Sequence, residues 1–189
     1  MFVKLMSVMT LITLTASPVV AQTDDFGLLA EVRNERAPAE LSQWDNMIGD
    51  WRTTWQSIGP DGEVAATGET EWNWRWVLNG FAVQDMWINP PRDAEAPNGR
   101  LFGTNLRIFN SQTGLWEMAW ANNRESKVDT YTAVFDEERI IMSPDENPDG
   151  VRIIFYDMTG ETFDWVSEAS ADGGETWRPT FRIHGERVE

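Results

Sequence analysis

Six residues decide the fold class of this chain: Glu71-Trp72-Asn73-Trp74-Arg75-Trp76. They alternate an indole ring with a polar side chain, and in a β-strand successive side chains point to opposite faces. The three tryptophans therefore share one face, and the three polar residues share the other. Such an alternation is typical of a strand whose aromatic face is buried against a core.

The same period of two continues along the chain from Gly49 onward. Short alternating runs are separated by turn sequences such as Gly59-Pro60-Asp61-Gly62 and Asn147-Pro148-Asp149-Gly150, and no long helical pattern lies between them. This spacing predicts an all-β domain over residues 41–189, an antiparallel up-and-down barrel of about 8–10 strands. A short helical turn over Leu41–Ile48 precedes the first strand, since Leu41, Trp44 and Ile48 are spaced for one face.

The first 21 residues have the pattern of a secretory signal peptide. Lys4 supplies a positive start, Leu5 to Ala16 is an uncharged apolar run, and Ala21 ends a small-residue cleavage site. The apolar run is shorter than the roughly 20 residues that span a bilayer. We therefore expect a periplasmic or secreted protein, cleaved near Ala21 and not integral to the membrane. A retained N-terminal anchor is the alternative.

Residues 22–40 predict a polar leader segment. Asp24 and Asp25 are placed to cap a helix, and Pro38 is placed to end it. The chain has no cysteine, so no disulfide stabilises it in an oxidising compartment.

The charge balance excludes some classes of partner. The chain has 31 acidic and 15 basic residues and a formal net charge of −16. Nucleic acid and anionic membranes both require a Lys/Arg-rich surface, which the sequence does not supply.

The eleven tryptophans suggest a binding function. Indole rings in a barrel of this size either fill the interior or line a pocket for a flat apolar ligand. We expect a small hydrophobic or aromatic molecule in the lumen, with a polar end oriented by an arginine. The candidate binding residues are Trp72, Trp74, Trp76, Trp87, Trp120, Arg75 and Arg107.

Catalysis and metal binding have little support from the sequence. One histidine and no cysteine exclude thiol chemistry and disfavour a histidine-rich metal site, so we assign no catalytic residue, metal or cofactor. One alternative is a carboxylate-dependent enzyme, which requires two acids converging in the lumen, with Glu71, Asp85 and Glu117 as candidates. Another is a structural envelope module with a filled interior.

The entry to the first strand, Gly49-Asp50-Trp51, resembles that of lipocalins and other calycins. In that group the tryptophan plugs the closed end of the barrel and an arginine from the last strand packs over it. The resemblance implies that Arg182 or Arg187 takes this role. Residues 41–187 are similar to a family of bacterial lipocalin-like domains, on the evidence of Leu106–Asn110, Thr113–Trp116, Trp120-Ala121 and Ser170–Trp177. This resemblance implies a calycin-type barrel and no established activity.

Two further features carry resemblances of their own. Ser170–Trp177 is similar to the Asp-box hairpin of sialidases, in which Asp172 would accept hydrogen bonds across the turn and Trp177 would pack below it. A single copy indicates a turn and not glycoside cleavage. His184 lies late in a small barrel, as in nitrobindin-like haem binders, so haem ligation by His184 is an alternative, although the glycine-rich entry of those proteins is missing.

Overall fold

The computed structural model describes residues 30–188, which form a closed ten-stranded antiparallel barrel and one 3₁₀ helix, Ala39–Met47. The strands are β1 (Gly49–Ile58), β2 (Val64–Val77), β3 (Ala82–Asn89), β4 (Leu101–Asn110), β5 (Leu115–Asn122), β6 (Val128–Asp136), β7 (Arg139–Pro144), β8 (Val151–Tyr156), β9 (Thr162–Ala169) and β10 (Arg178–Arg187).

Each strand pairs with its neighbour in sequence, and β10 closes the barrel by pairing with β1. The closing register runs from Trp51 opposite Arg187 to Ser57 opposite Phe181. Closure leaves no unpaired edge along the sheet, which is how up-and-down sheets avoid edge-to-edge aggregation. The sequence-based prediction of an all-β antiparallel barrel behind a short helix is confirmed.

The register places the aromatic face of β2 inside the barrel. Trp72 lies opposite Trp51 on one side and Trp87 on the other, so one row of side chains around the barrel points inward. Trp72, Trp74 and Trp76 are all buried, whereas the residues between them are partly exposed on the outer surface. The period of two is therefore an inside–outside alternation, as expected.

The 3₁₀ helix closes the end of the barrel at which β1 begins. Leu41, Trp44 and Met47 on its inner side are completely buried. Trp44 stacks on Trp74 with ring centroids 5.2 Å apart and meets Phe155 edge-on at 5.4 Å. We call this the closed end of the barrel, and the expected helical turn over Leu41–Ile48 is confirmed.

An arginine from the last strand lies over the first-strand tryptophan. The guanidinium carbon of Arg187 is 4.4 Å from the ring centroid of Trp51, whose indole N–H donates to the Met47 carbonyl at 2.7 Å. Arg187 also donates to the carbonyls of Ile48 at 2.8 Å and Asn46 at 2.9 Å. Of the two arginines considered, Arg187 takes this role, and Arg182 is exposed on the outer surface.

The chain before the helix runs along the closed end. The Ala30 amide donates to the Trp76 carbonyl at 3.0 Å, and the Asn34 amide donates to the Gly80 carbonyl at 3.1 Å. The expected signal peptide (1–21) and residues 22–29 of the expected leader helix (22–40) lie outside the described residues. Residues 30–38 form a β-bridge, bends and a turn, so this part of the expected leader helix is not helical. Within residues 30–188 no helix is long and apolar enough to cross a membrane.

The hairpin between β9 and β10 has the hydrogen bonds expected of an Asp-box. Asp172 Oδ1 accepts the Thr176 amide at 2.9 Å, and the Trp177 indole donates to the Gly174 carbonyl at 2.9 Å. Gly173 has a φ of 76°, a conformation that costs glycine little. This hairpin lies on the opposite side of the barrel from the closed end, where it shapes a turn.

Candidate functional site

The interior beyond the closed end contains a cavity of about 210 Å³. It exceeds the cavity of about 150 Å³ that holds a benzene molecule, and it is smaller than the roughly 300 Å³ at which drug-sized pockets begin. The space therefore suits a molecule of one or two rings. The cavity is lined by Trp72, Trp87, Asn105, Arg107, Trp120, Tyr131, Met142, Ile153, Phe155, Trp165, Phe181 and Ile183.

Aromatic packing fills the barrel between the cavity and the 3₁₀ helix. Trp74 lies against Trp72 and Trp44 with centroid distances of 5.2 Å in both cases, and Phe155 meets Trp74 edge-on at 5.7 Å. Rings in such offset and edge-to-face arrangements stabilise each other beyond the area that they bury. The closed half of the lumen is thus a rigid aromatic base beneath an open space.

Arg107 forms the boundary between this base and the cavity. Its guanidinium carbon lies 4.1 Å from the ring centroid of Trp74 and 4.8 Å from that of Trp44, within the range of a cation–π contact. Arg107 Nη2 is 2.6 Å from Asp85 Oδ2, and both side chains are completely buried. The backbone N–H of Asn105 donates to the other carboxylate oxygen, Asp85 Oδ1, at 3.1 Å.

The strand register brings this ion pair together. Trp74 is opposite Asp85, Asp85 is opposite Asn105, and Arg107 lies two residues further along β4 on the same inward face. Asp85 on β3 and Arg107 on β4 therefore both point into the barrel, where they contact each other.

Burial shifts the titration of both partners. It raises the pKa of the Asp85 carboxyl because the charged form loses its hydration, and the adjacent Arg107 charge opposes that shift. Burial also lowers the pKa of the Arg107 guanidinium, which Asp85 opposes in turn. Arginine stays protonated in proteins, and its charge at 2.6 Å favours the ionised form of Asp85, so the two groups lie as an ion pair.

A glycine on β4 provides the space for one wall of the cavity. The ring of Trp120 on β5 lies directly over Gly103, where a Cβ atom would overlap it. Glycine in a strand often marks such a close approach. The absence of a side chain at Gly103 leaves room for the end of the Trp120 ring.

The residues proposed from the sequence fall into three groups. Trp72, Trp87, Trp120 and Arg107 line the cavity. Trp74 and Trp76 are buried in β2 on the closed-end side of Trp72 and are not among the cavity-lining side chains. Arg75 is on the outer surface, where its Nη2 lies 2.6 Å from Asp50 Oδ1.

Five further residues contribute polar or aromatic surface to the cavity without having been proposed: Asn105, Tyr131, Phe155, Trp165 and Phe181. Trp165 and Phe181 belong to alternating runs of β9 and β10, so the period of two contained a signal for them. Asn105 and Tyr131 lie in β4 and β6, and only the pairing register shows that they face the lumen.

The carboxylate candidates do not converge in the cavity. Among the described cavity-lining residues there is no carboxylate. Glu71 is on the outer surface, paired with Arg92 at 2.5 Å, and Glu117 accepts a hydrogen bond from Asn110 at 2.6 Å. Over the same part of the chain, no group of three or more His, Cys, Asp or Glu side chains is placed to hold a metal ion.

His184 is on the outer surface of β10. Its Nδ1 lies 2.9 Å from Asp164 Oδ1 of the paired strand, and nearly half of the side chain is exposed. Since its two neighbours in β10, Ile183 and Gly185, are buried, the imidazole points away from the lumen. A haem group in the cavity would not reach His184 as an axial ligand.

Comparisons with known proteins add little to this description. No protein-family model matches the chain, and no curated protein sequence matches it. Among solved structures, the chain is similar to the crystal structure of Rv2717c from M. tuberculosis, with 10% sequence identity and a TM-score of 0.49. That alignment covers 81% of this chain and 99% of the other, and a likeness of this degree assigns neither a family nor a ligand.

Proposed function

We propose that this protein binds a small, largely apolar or aromatic molecule reversibly in the lumen of its barrel. The observation that carries the proposal is the cavity of about 210 Å³, whose walls include four indole rings, a phenol and two phenyl rings. Aromatic walls bind flat apolar molecules because the apolar surface of the guest is removed from water. Trp72, Trp87 and Trp120 form walls, and Arg107 lies at the floor.

The open space separates this proposal from that of a purely structural module. A filled interior would leave no room for a guest, whereas a cavity in a close-packed protein has a cost in lost contacts. A guest that fills the cavity recovers those contacts. The described lining contains no carboxylate, which is the reason for proposing binding in preference to acid–base catalysis.

We also propose that the protein acts outside the cytoplasm and descends from a calycin-type barrel. Export is supported by the signal-like pattern of residues 1–21. Kinship with calycins is supported by the Arg187–Trp51 contact at the closed end. Export is tested by sequencing the N-terminus of protein recovered from the periplasm or medium of its own host. A start at Gln22 is expected. Recovery only in the cytoplasm with Met1 intact would contradict export.

Native mass spectrometry of the mature protein, purified from its own host, tests ligand binding. A retained small molecule is expected, released on unfolding. In parallel, a panel of one- and two-ring hydrophobic compounds is titrated against the intrinsic tryptophan fluorescence. Binding changes the emission because Trp72, Trp87 and Trp120 line the cavity.

A matched pair of variants locates the binding. Ile153→Phe adds a ring at the cavity wall, and Ile108→Phe makes the same substitution on the outer face of β4, where Ile108 is 42% exposed. Ile153→Phe is expected to weaken binding at least tenfold, and Ile108→Phe to leave it unchanged. The proposal would be refuted if no compound changed the fluorescence and no small molecule was retained. Equal binding by both variants would show that the ligand binds outside this cavity.

A further inference from the structure

The polar groups of the cavity wall are mainly hydrogen-bond donors. Each lining indole carries one N–H, Arg107 carries only N–H groups, Asn105 carries an amide NH₂ and Tyr131 carries a hydroxyl. The acceptors are fewer: the Asn105 carbonyl oxygen and the Tyr131 hydroxyl oxygen. A guest that offers acceptors therefore matches this wall better than one that offers donors.

Several of these groups have no partner within the described part of the protein. They are the indole N–H group of Trp87, Nε and Nη1 of Arg107, and Oδ1 of Asn105. The indole N–H of Trp72 already donates toward the Asp85 carboxylate. Asn105 is 7% exposed and Arg107 0%, so their polar groups are largely shielded from bulk water. Buried donors are almost always paired in proteins, and an unpaired one weakens the fold. Three unpartnered donors and one unpartnered acceptor indicate that the missing complementary group is a hydrogen-bond acceptor.

Charge narrows the class of guest further. Asp85 already balances the Arg107 guanidinium at 2.6 Å, so the floor of the cavity is neutral as a pair. A carboxylate guest would add an unbalanced negative charge in a chain whose formal net charge is −16. A cationic guest would meet the buried Arg107 and a wall without a carboxylate among the described lining residues.

We propose that the guest is an uncharged aromatic molecule of one or two rings with a hydrogen-bond acceptor, such as a carbonyl oxygen or a ring nitrogen, at one end. This inference rests on the proposed binding function and specifies its ligand class. The ring lies among the indoles, and the acceptor meets the donors of Trp87 and Arg107 near the floor.

Four probes of similar size test the inference on the unmodified protein: acetophenone, ethylbenzene, benzoate and benzylammonium. The first has an acceptor and no charge, the second has neither, and the others carry opposite charges. Dissociation constants are measured by isothermal titration calorimetry. Acetophenone is expected to bind about tenfold more tightly than ethylbenzene, which corresponds to one additional hydrogen bond, and both charged probes are expected to bind more weakly than acetophenone.

The indole N–H signals in a ¹H–¹⁵N spectrum identify the donors. Acetophenone is expected to move the signal of Trp87 downfield, and ethylbenzene is not. Trp87→Phe retains an aromatic ring without the N–H, so it is expected to reduce the preference for acetophenone over ethylbenzene. Trp177→Phe is the control, because that indole donates to the Gly174 carbonyl in the hairpin between β9 and β10.

Each outcome has a distinct meaning. Equal binding of acetophenone and ethylbenzene refutes the acceptor inference and leaves the proposed binding function intact. Tightest binding of benzoate or benzylammonium refutes the uncharged class. If none of the four probes binds and the wider hydrophobic panel also fails, the proposed function itself is refuted, and this inference with it.

Discussion

Arg107 is a charged residue in the most enclosed part of the barrel. Its guanidinium rests on two indole rings and forms an ion pair with Asp85, and neither side chain is exposed. Taking two charges out of water is costly, so such a pair contributes little net stability while both members are present. Removal of one member leaves the other charge unpaired, which is much more costly.

We therefore expect Arg107→Met and Asp85→Leu each to lower the free energy of unfolding by about 3–5 kcal/mol. The double variant replaces the pair by apolar side chains of similar size and is expected to lose far less than the sum of the two single losses. Urea denaturation of the four proteins measures this. Additive losses would show that the two side chains do not act as a pair.

Asp172 shows a second way in which a single residue responds to its hydrogen bonds. Thr176, through its hydroxyl and its amide, and then Ser170 donate to the Asp172 carboxylate and hold its pKa at about 2, below the ordinary value of 3.8. Because the pKa of Asp172 is lower in the folded state, its ionised carboxylate stabilises the hairpin at pH values above the ordinary pKa of 3.8. That contribution disappears as the pH falls through about 2.

Titration of the Asp172 side-chain carbon by NMR is expected to give a midpoint near 2. Thr176→Val removes the largest contribution, so its midpoint is expected to move upward toward 3.8. A native midpoint near 3.8 would mean that the hydrogen bonds of the turn do not persist in solution.

At the scale of elements, the closed end depends on one side chain that joins three segments. Arg187 of β10 stacks on Trp51 of β1 and donates to carbonyls of Asn46 in the 3₁₀ helix and of Gly160 before β9. The planar guanidinium reaches several carbonyls at once because its N–H groups point outward from one plane.

Arg187→Ala is expected to lower the free energy of unfolding by about 2–3 kcal/mol, since carbonyls at the closed end lose charged donors. Arg187→Lys is expected to recover little of the lost free energy, because an ammonium group cannot reach the same set of carbonyls as the planar guanidinium. Arg182→Ala is the matched control on the same strand, with an expected change within about 0.5 kcal/mol. Thermal or urea denaturation measures all three, and equal losses for the two alanine variants would contradict the role given to Arg187.

At the scale of the whole molecule, closure of the sheet depends on the pairing of β1 with β10, which are the first and last strands. Seven residue pairs form this seam, from Trp51 opposite Arg187 to Ser57 opposite Phe181. Because the two strands are distant in sequence, pairing them costs more loop-closure entropy than pairing neighbouring strands.

Hydrogen exchange measures whether the seam is as stable as the rest of the barrel. Amides of β1 and β10 in the seam are expected to be protected to the same degree as those paired between β4 and β5, because closure leaves neither strand as an unpaired edge that can open separately. Protection that is low in β10 alone would indicate an open sheet with a frayed last strand, and with it a cavity open along one side.

Several features of the protein could be predicted from local sequence because they follow from chain geometry. The alternation in Glu71–Trp76 predicts a strand with one aromatic face, and the turn sequences between successive runs predict an antiparallel order. Each of these signals lies within a few residues of the structure that it specifies. The plugged end is different, because it was implied by the resemblance of Gly49-Asp50-Trp51 to calycin entries. The contact between Trp51 and Arg187 joins the first and last strands.

The depth of a residue in the barrel could not be predicted in the same way. Trp72, Trp74 and Trp76 have the same pattern, yet only Trp72 lines the cavity, because position along the barrel axis depends on register and on where the 3₁₀ helix lies. Arg75 and Arg107 are both arginines in alternating runs, yet Arg75 faces outward and Arg107 is completely buried.

The sequence by itself determined which side chains alternate and where the chain turns, since those properties depend on neighbours in the chain. Only the tertiary structure decided that Arg107 meets Asp85, that Gly103 makes room for Trp120 and that a space remains above the aromatic base. The physical reason is that these contacts join different strands, and their distances are fixed by the closure of the sheet and the packing of its interior as a whole.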